Sequence, residues 1–95
     1  MSGYRIDRQV MEFGEHVRGW RMVLGLTAQQ VSERAGITRD TLRKIEAGNP
    51  NVSFNSVTQV LRALGIRDQI VGAADPLAGD IGRLRAGRLT RKRAR

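Results

Sequence analysis

The sequence predicts an all-α chain, a compact domain of four to five short helices followed by a basic C-terminal tail. Three observations lead there. Apolar residues recur at spacings of three and four, the period of a helix face rather than a strand. Ser and Thr stand where helices would begin, and Gly where they would end. Hydrophobic residues make up 40% of the 95-residue chain but aromatics only 4%, so the core must be built from Leu, Ile, Val and Ala, which suits helix packed on helix. A chain this short buries one small core, enough for one domain with tails.

The first helix is expected from Asp7 to Leu24, where Val10, Phe13, Val17, Trp20 and Leu24 share one face. That spacing assigns Trp20 to the core. Gly25 follows as a left-handed terminator, with Leu26 closing the hydrophobic contact. Thr27 stands as the next N-cap, and Gln30 three residues on completes a capping-box pattern. The second helix runs from Ala28 to Ala35, burying Val31 and Ala35 and keeping Gln29, Gln30, Glu33 and Arg34 outside. Gly36 stops it. Thr38 caps a third helix from Arg39 to Ala47, with Leu42 and Ile45 inward, ended by Gly48 and "NPN".

Ser53 caps a fourth helix from Phe54 to Leu64, whose Phe54, Val57, Val60, Leu61 and Leu64 form an apolar stripe, and Gly65 ends it. A short fifth helix from Arg67 to Gly72 has Ile66, Ile70 and Val71 as its apolar side. From Ala73 onward, glycines, a proline and blocks of like charge predict a linker and tail, residues 73–95, largely disordered without a partner. Residues 1–72 are then the folded domain.

Composition narrows the function. With no cysteine there is neither a disulfide framework nor a thiolate metal site. No apolar run approaches the ~20 residues of a membrane span, and "MSGYRIDRQV" lacks a signal-peptide core. A soluble, cytoplasmic, nucleoid-associated protein is expected. His16 is a lone histidine on a polar face, and no carboxylate cluster stands near it in sequence. No metal, cofactor or catalytic constellation is expected, and so no enzyme.

The formal charge is +8, which points to a polyanionic partner. From Gly79 onward seven basic residues face Asp80 alone, so +6 lies in the tail and +2 in residues 1–78. Positive charge in the body must therefore be arranged locally. The densest stretch is the third helix, with Arg39, Asp40, Arg43 and Lys44. Two short capped helices joined across Ala35, Gly36 and Ile37 form a helix-turn-helix, which leaves the start of the second of the pair free to enter a major groove.

The stretch "FGEHVRGWRMVLGLTAQQVSERAGITRDTLRKIEAG", followed by "VTQVLRALGI", resembles the Xre and Cro/C1-type helix-turn-helix repressors. The likeness rests on Arg21 before the "GLT" turn, Gly36 between the helices, "IEAG" closing the third helix and "ALGI" closing the fourth. It implies a lambda-repressor-like DNA-binding domain with a central helix-turn-helix, acting as a homodimer on an operator and reading the major groove with residues 38–47. Ala28 departs from the family pattern, which has glutamine there, and Gln29 or Gln30 would have to substitute. Ser32 replaces the usual alanine and is small enough to let the two helices approach.

By position in that pattern, the base-reading slots fall on Thr38, Arg39, Asp40, Arg43 and Lys44. The chemistry fits, since arginine can span guanine O6 and N7 and aspartate can accept from cytosine N4. Thr38 is better suited to capping and phosphate contact. The competing reading of Asp40 is an ion pair with Arg43 or Lys44 along the helix. Thr41 and Asn51 complete the expected DNA-facing set with Gln29 and Gln30, while Arg91, Lys92 and Arg93 would form a basic arm that lies along phosphates or enters a minor groove, against the plainer reading of a solubilising terminus. The resemblance further implies that Arg21 and Glu46 form an ion pair bracing the third helix on the first. A looser likeness of "NPNVSFNSVTQVLRALGI" and the basic tail to HipB-type antitoxins offers an alternative, an autoregulating protein that also neutralises a kinase-like toxin.

Overall fold

The computed structural model describes residues 7–89. Its elements are α1 (Arg8–Val23), α2 (Ala28–Ala35), α3 (Arg39–Glu46), α4 (Phe54–Ala63), α5 (Arg67–Ala73), a 3₁₀ turn (Pro76–Ala78) and α6 (Asp80–Leu84). The described residues contain no strand, and the all-helical, lambda-repressor-like class is the one found. None of these helices is long and apolar enough to cross a membrane.

Local chemistry sets the boundaries. The Asp7 carboxylate accepts from the amides of Gln9 and Val10 at the start of α1. Thr27 and Gln30 form the reciprocal capping box, each side chain accepting from the other's amide, at 3.0 and 2.9 Å. Thr38 and Ser53 accept from the amides of Thr41 and Ser56. The helices α1 to α4 all end on a glycine with positive φ, and the amide one residue further donates back to a carbonyl of the last turn, as Ile37 does to Ser32 at 3.0 Å. At Gly36 (φ 69°) this sets the turn between α2 and α3.

The core is aliphatic. Val17 of α1, Val31 and Ala35 of α2, Leu42 and Ile45 of α3, and Val60, Leu61, Leu64 and Ile66 at and after α4 are all buried. Helix α1 packs on α3, and α2 packs on α4. Ser32 is the one buried polar residue of the described set, and its hydroxyl donates to the Ala28 carbonyl at 2.8 Å.

Five side chains depart from the expected apolar faces, among them Leu24, which is 45% exposed because it is the C-cap residue just past the last turn of α1. Trp20 is 42% exposed, because the inward position four residues after Val17 is taken by Arg21, which turns Trp20 to the rim of α1. Phe54 is exposed because the first residue of α4 stands beyond the end of α3, over a groove lined by Val10, Phe13 and Val52. At α5 only Ile66, its N-cap, is buried, while Ile70 and Val71 are exposed. Within the stretch expected to be a tail, the 3₁₀ turn and α6 pack on one another, with the Arg83 guanidinium donating to the Leu77 carbonyl and to Asp80.

Candidate nucleic-acid interface

Two scaffold arginines hold the helix-turn-helix from behind. Arg21, from the last turn of α1, donates from Nε to Glu46 Oε2 at 2.7 Å and from Nη2 to Glu46 Oε1 at 3.0 Å. Its Nη1 reaches the Leu26 carbonyl at 3.3 Å, tying the turn after α1 to the same point. Both side chains are largely buried, at 15% and 11% exposure. Donating these hydrogen bonds to Glu46 raises the Arg21 pKa against the opposing effect of burial. Glu46 at the end of α3 would repel the negative pole of its own helix, and the guanidinium offsets that.

Arg62 of α4 plays the equivalent part for α2, donating from Nη2 to the Arg34 carbonyl at 2.8 Å. Both helices are thus pinned by a cation at their C-terminal ends.

Close backbone packing fixes the same junction. A Cβ on Gly14 would lie 2.6 Å from the Ile45 carbonyl oxygen and 2.7 Å from that of Glu46. Gly48, at φ 79°, approaches the Met11 backbone equally closely. Apolar periodicity gives Gly14 no role, although a glycine inside an otherwise regular helix is a mark of close approach.

The outer face of α3 carries charge. Leu42 and Ile45 are buried beneath it, and Arg39, Asp40, Arg43 and Lys44 are exposed. Asp40 pairs with both later cations: Oδ1 accepts from Arg43 Nη2 at 2.7 Å and Nε at 3.2 Å, and Oδ2 lies 3.4 Å from Lys44 Nζ. Hydrogen bonds from Arg43, then Lys44, hold the Asp40 carboxyl below the usual aspartate range. Arg39 has no ion pair or side-chain hydrogen bond among the described residues. Three cations against one carboxylate leave this face at +2.

A groove of ≈ 520 Å³ runs beside this face, lined by Ala28, Arg39, Asp40, Leu42 and Arg43, with Arg21 and Glu46 also on its wall. The methyl of Ala28 leaves it open. Neither nearby glutamine enters it: Gln29 donates to Glu33 at 2.7 Å, and Gln30 is committed to the cap of Thr27. Thr38 and Thr41 are joined hydroxyl to hydroxyl at 2.9 Å at the start of α3. Asn51 is exposed in the loop after α3, its amide donating to the Asn49 side chain at 2.7 Å. Arg91, Lys92 and Arg93 lie outside the described residues.

His16 stands on the exposed side of α1, 3.5 Å from Glu12. No group of three or more His, Cys, Asp or Glu able to hold a metal occurs among the described residues.

The model of a helix-turn-helix domain family matches residues 12–70, which span α1 to α5 up to Ile70. A protein from Methanothermobacter thermautotrophicus, described as an uncharacterized HTH-type transcriptional regulator, is 39% identical over 49 residues. The aligned part is 52% of this chain and 71% of that protein. No solved structure matches.

Proposed function

From the premise that this chain belongs to the helix-turn-helix domain family, we propose that it is a sequence-specific, double-stranded-DNA-binding transcriptional regulator, a homodimeric repressor that reads the major groove with residues 38–47. The observation that carries the reading is the division of α3, with Leu42 and Ile45 buried and Arg39, Arg43 and Lys44 exposed on the face opposite. An α-helix fits a major groove about 12 Å wide, and cations on its outer side meet guanine edges and phosphates. Pinning α2 and α3 at their C-terminal ends favours presentation of their N-terminal ends to DNA, where the amides of the first turn add phosphate donors.

The residues divide by task. Arg39, Arg43 and Asp40 are assigned to base edges, and Lys44, Thr38, Thr41 and Asn51 to phosphates. Gln29 is free to leave Glu33 for a phosphate, because that pair is exposed. Gln30 contributes through the cap. Arg91, Lys92 and Arg93 supply a non-specific electrostatic arm.

A two-fold repressor engages half-sites about 34 Å apart, and the uncovered Ile70 and Val71 on α5 offer apolar surface to a second copy. The alternative role, a HipB-like antitoxin that autoregulates and neutralises a kinase-like toxin, adds a protein partner to DNA binding; co-purification with the product of the adjacent gene separates the two.

The deciding experiment is a band shift of the full chain on duplexes selected from a pool with a randomised core, against scrambled duplexes of equal length. Tighter binding to the selected sequence at moderate salt is expected. Equal binding to both would leave only architectural, sequence-blind association.

A further inference from the structure

We propose that Asp40 and Arg43 act as one reading unit for a single G·C base pair, with Asp40 the residue that determines specificity by penalising every other sequence. The inference rests on the reading of α3 as the DNA-facing helix and deepens it.

The geometry is that of a shared counter-ion. Asp40 Oδ1 accepts two hydrogen bonds from Arg43, and Oδ2 faces Lys44, so both carboxylate oxygens are engaged by cations that the DNA would otherwise take. All three side chains are exposed, at 60% for Asp40, 68% for Arg43 and 46% for Lys44. Burial of Leu42 and Ile45 prevents the helix from rolling this trio away from a docked duplex.

Stability does not require a carboxylate there. Thr38 already caps α3, and exposed ion pairs contribute little. Against a polyanion, however, a carboxylate at this position is repelled by phosphate whatever the sequence. It also competes for Arg43 and Lys44.

One base pair relieves both penalties. Across the major groove a G·C pair presents the N7 and O6 acceptors of guanine and then the N4 amino donor of cytosine. A guanidinium beside a carboxylate offers the complementary row, donors next to an acceptor. Arg43 spans guanine, Asp40 accepts from cytosine N4, and their mutual contact keeps the two in register. An A·T pair puts its amino donor and its acceptors in a different order and leaves the carboxylate without its partner.

The test titrates the full-length wild type, Asp40→Asn and Glu15→Gln on duplexes selected by the wild type and on scrambled duplexes, with repeated selection and thermal melting of each variant. Glu15→Gln makes the same charge change on the exposed side of α1, in the groove lined by Trp20. Asp40→Asn is expected to bind scrambled duplex about threefold more tightly or better and with a steeper salt dependence. It should also lose one G·C from its selected consensus, with the selected-to-scrambled ratio falling about tenfold.

Glu15→Gln should keep both ratio and consensus. The proposal is overturned if Asp40→Asn keeps both, or if Glu15→Gln changes them equally. A drop in melting temperature with equal weakening on both duplexes overturns it too, by reducing Asp40 to a helix-stabilising acid. A wild type that enriches no sequence defeats the DNA-reading assignment of α3 itself, and this inference with it.

Discussion

The Arg21 guanidinium and the Glu46 carboxylate meet edge to edge, through hydrogen bonds of 2.7 and 3.0 Å, and join the last turn of α1 to the last residue of α3. Two parallel charge-assisted bonds fix orientation as well as distance. The pair therefore sets the angle at which α3 projects from the scaffold.

Breaking that pair leaves a largely buried charge without its partner. Arg21→Ala and Glu46→Ala are each expected to lower the unfolding free energy by about 2–3 kcal/mol, the range for hydrogen bonds to charged groups. The double variant should lose less than the sum of the two. Arg21→Lys should not restore the loss, because an ammonium lacks the planar fork. Urea melts of the wild type and the four variants check this, and additive losses would remove the pair as a bracing element.

Glycines on α1 separate two kinds of position. Gly19→Ala meets nothing within 4 Å and should stabilise the chain by about 0.5–1 kcal/mol through helix propensity. Gly14→Ala meets the carbonyls of Ile45 and Glu46, which belong to backbone and cannot swing aside. It should destabilise by about 1–3 kcal/mol despite the better propensity. Opposite signs in denaturant melts are the expected result; stabilisation by both would mean that α1 and α3 are not in close backbone contact.

Trp20 should behave as a surface residue. Trp20→Ala is expected to cost about 1 kcal/mol or less, against about 3–5 kcal/mol for a fully buried tryptophan. Its fluorescence should be red-shifted in the native state and change little on unfolding. A blue-shifted native emission in dilute solution would place the ring in a covered site.

These positions show why the fold was legible from the sequence and the fine packing was not. Thr27, Thr38 and Ser53 cap where expected because a side-chain hydroxyl acts within one turn of its own position. Val17, Val31, Leu42, Ile45 and Val60 are buried as their spacing requires. Trp20 fails the same rule because periodicity identifies a face only to within one residue, and a long-range ion pair by Arg21 decided which residue turned inward. Arg62 on the Arg34 carbonyl is a contact 28 residues apart with no local signature. At the candidate interface, the exposure of Arg39, Arg43 and Lys44 followed from the burial of Leu42 and Ile45. The bridging of Asp40 to both later cations followed only in outline from their spacing, because the choice among Arg43, Lys44 and both depends on rotamers.

The Asp40 carboxyl lies below the usual aspartate range because Arg43 and Lys44 hydrogen-bond to its ionised form. A depressed folded-state pKa contributes stability that is present above the unfolded value and lost as pH falls through the folded one. The ion pairs on α3 should therefore survive acidification from neutral pH to about pH 4, near where an unperturbed aspartate titrates. Carboxyl carbon shifts followed by NMR check the point. An Asp40 midpoint at or above the ordinary value would show that the pairs are not populated in solution.

Arg39 tests the reading face most directly, because its guanidinium is committed to no partner among the described residues while Arg43 is held by Asp40. It stands in the first turn of α3, immediately after the Thr38 cap, where a recognition helix meets base edges. The proposed bidentate contact of Arg39 to guanine O6 and N7 would be lost in Arg39→Ala, so affinity for the selected duplex should fall by about 1–3 kcal/mol. Scrambled duplex should lose far less, since the remaining phosphate contacts are untouched. Preference should relax at one base position and hold elsewhere, while the melting temperature stays put because the side chain is exposed and away from the core. Should Arg39→Ala instead weaken both duplexes equally and lower only the salt slope, Arg39 belongs to the phosphate set and base reading is left to Arg43 and Asp40.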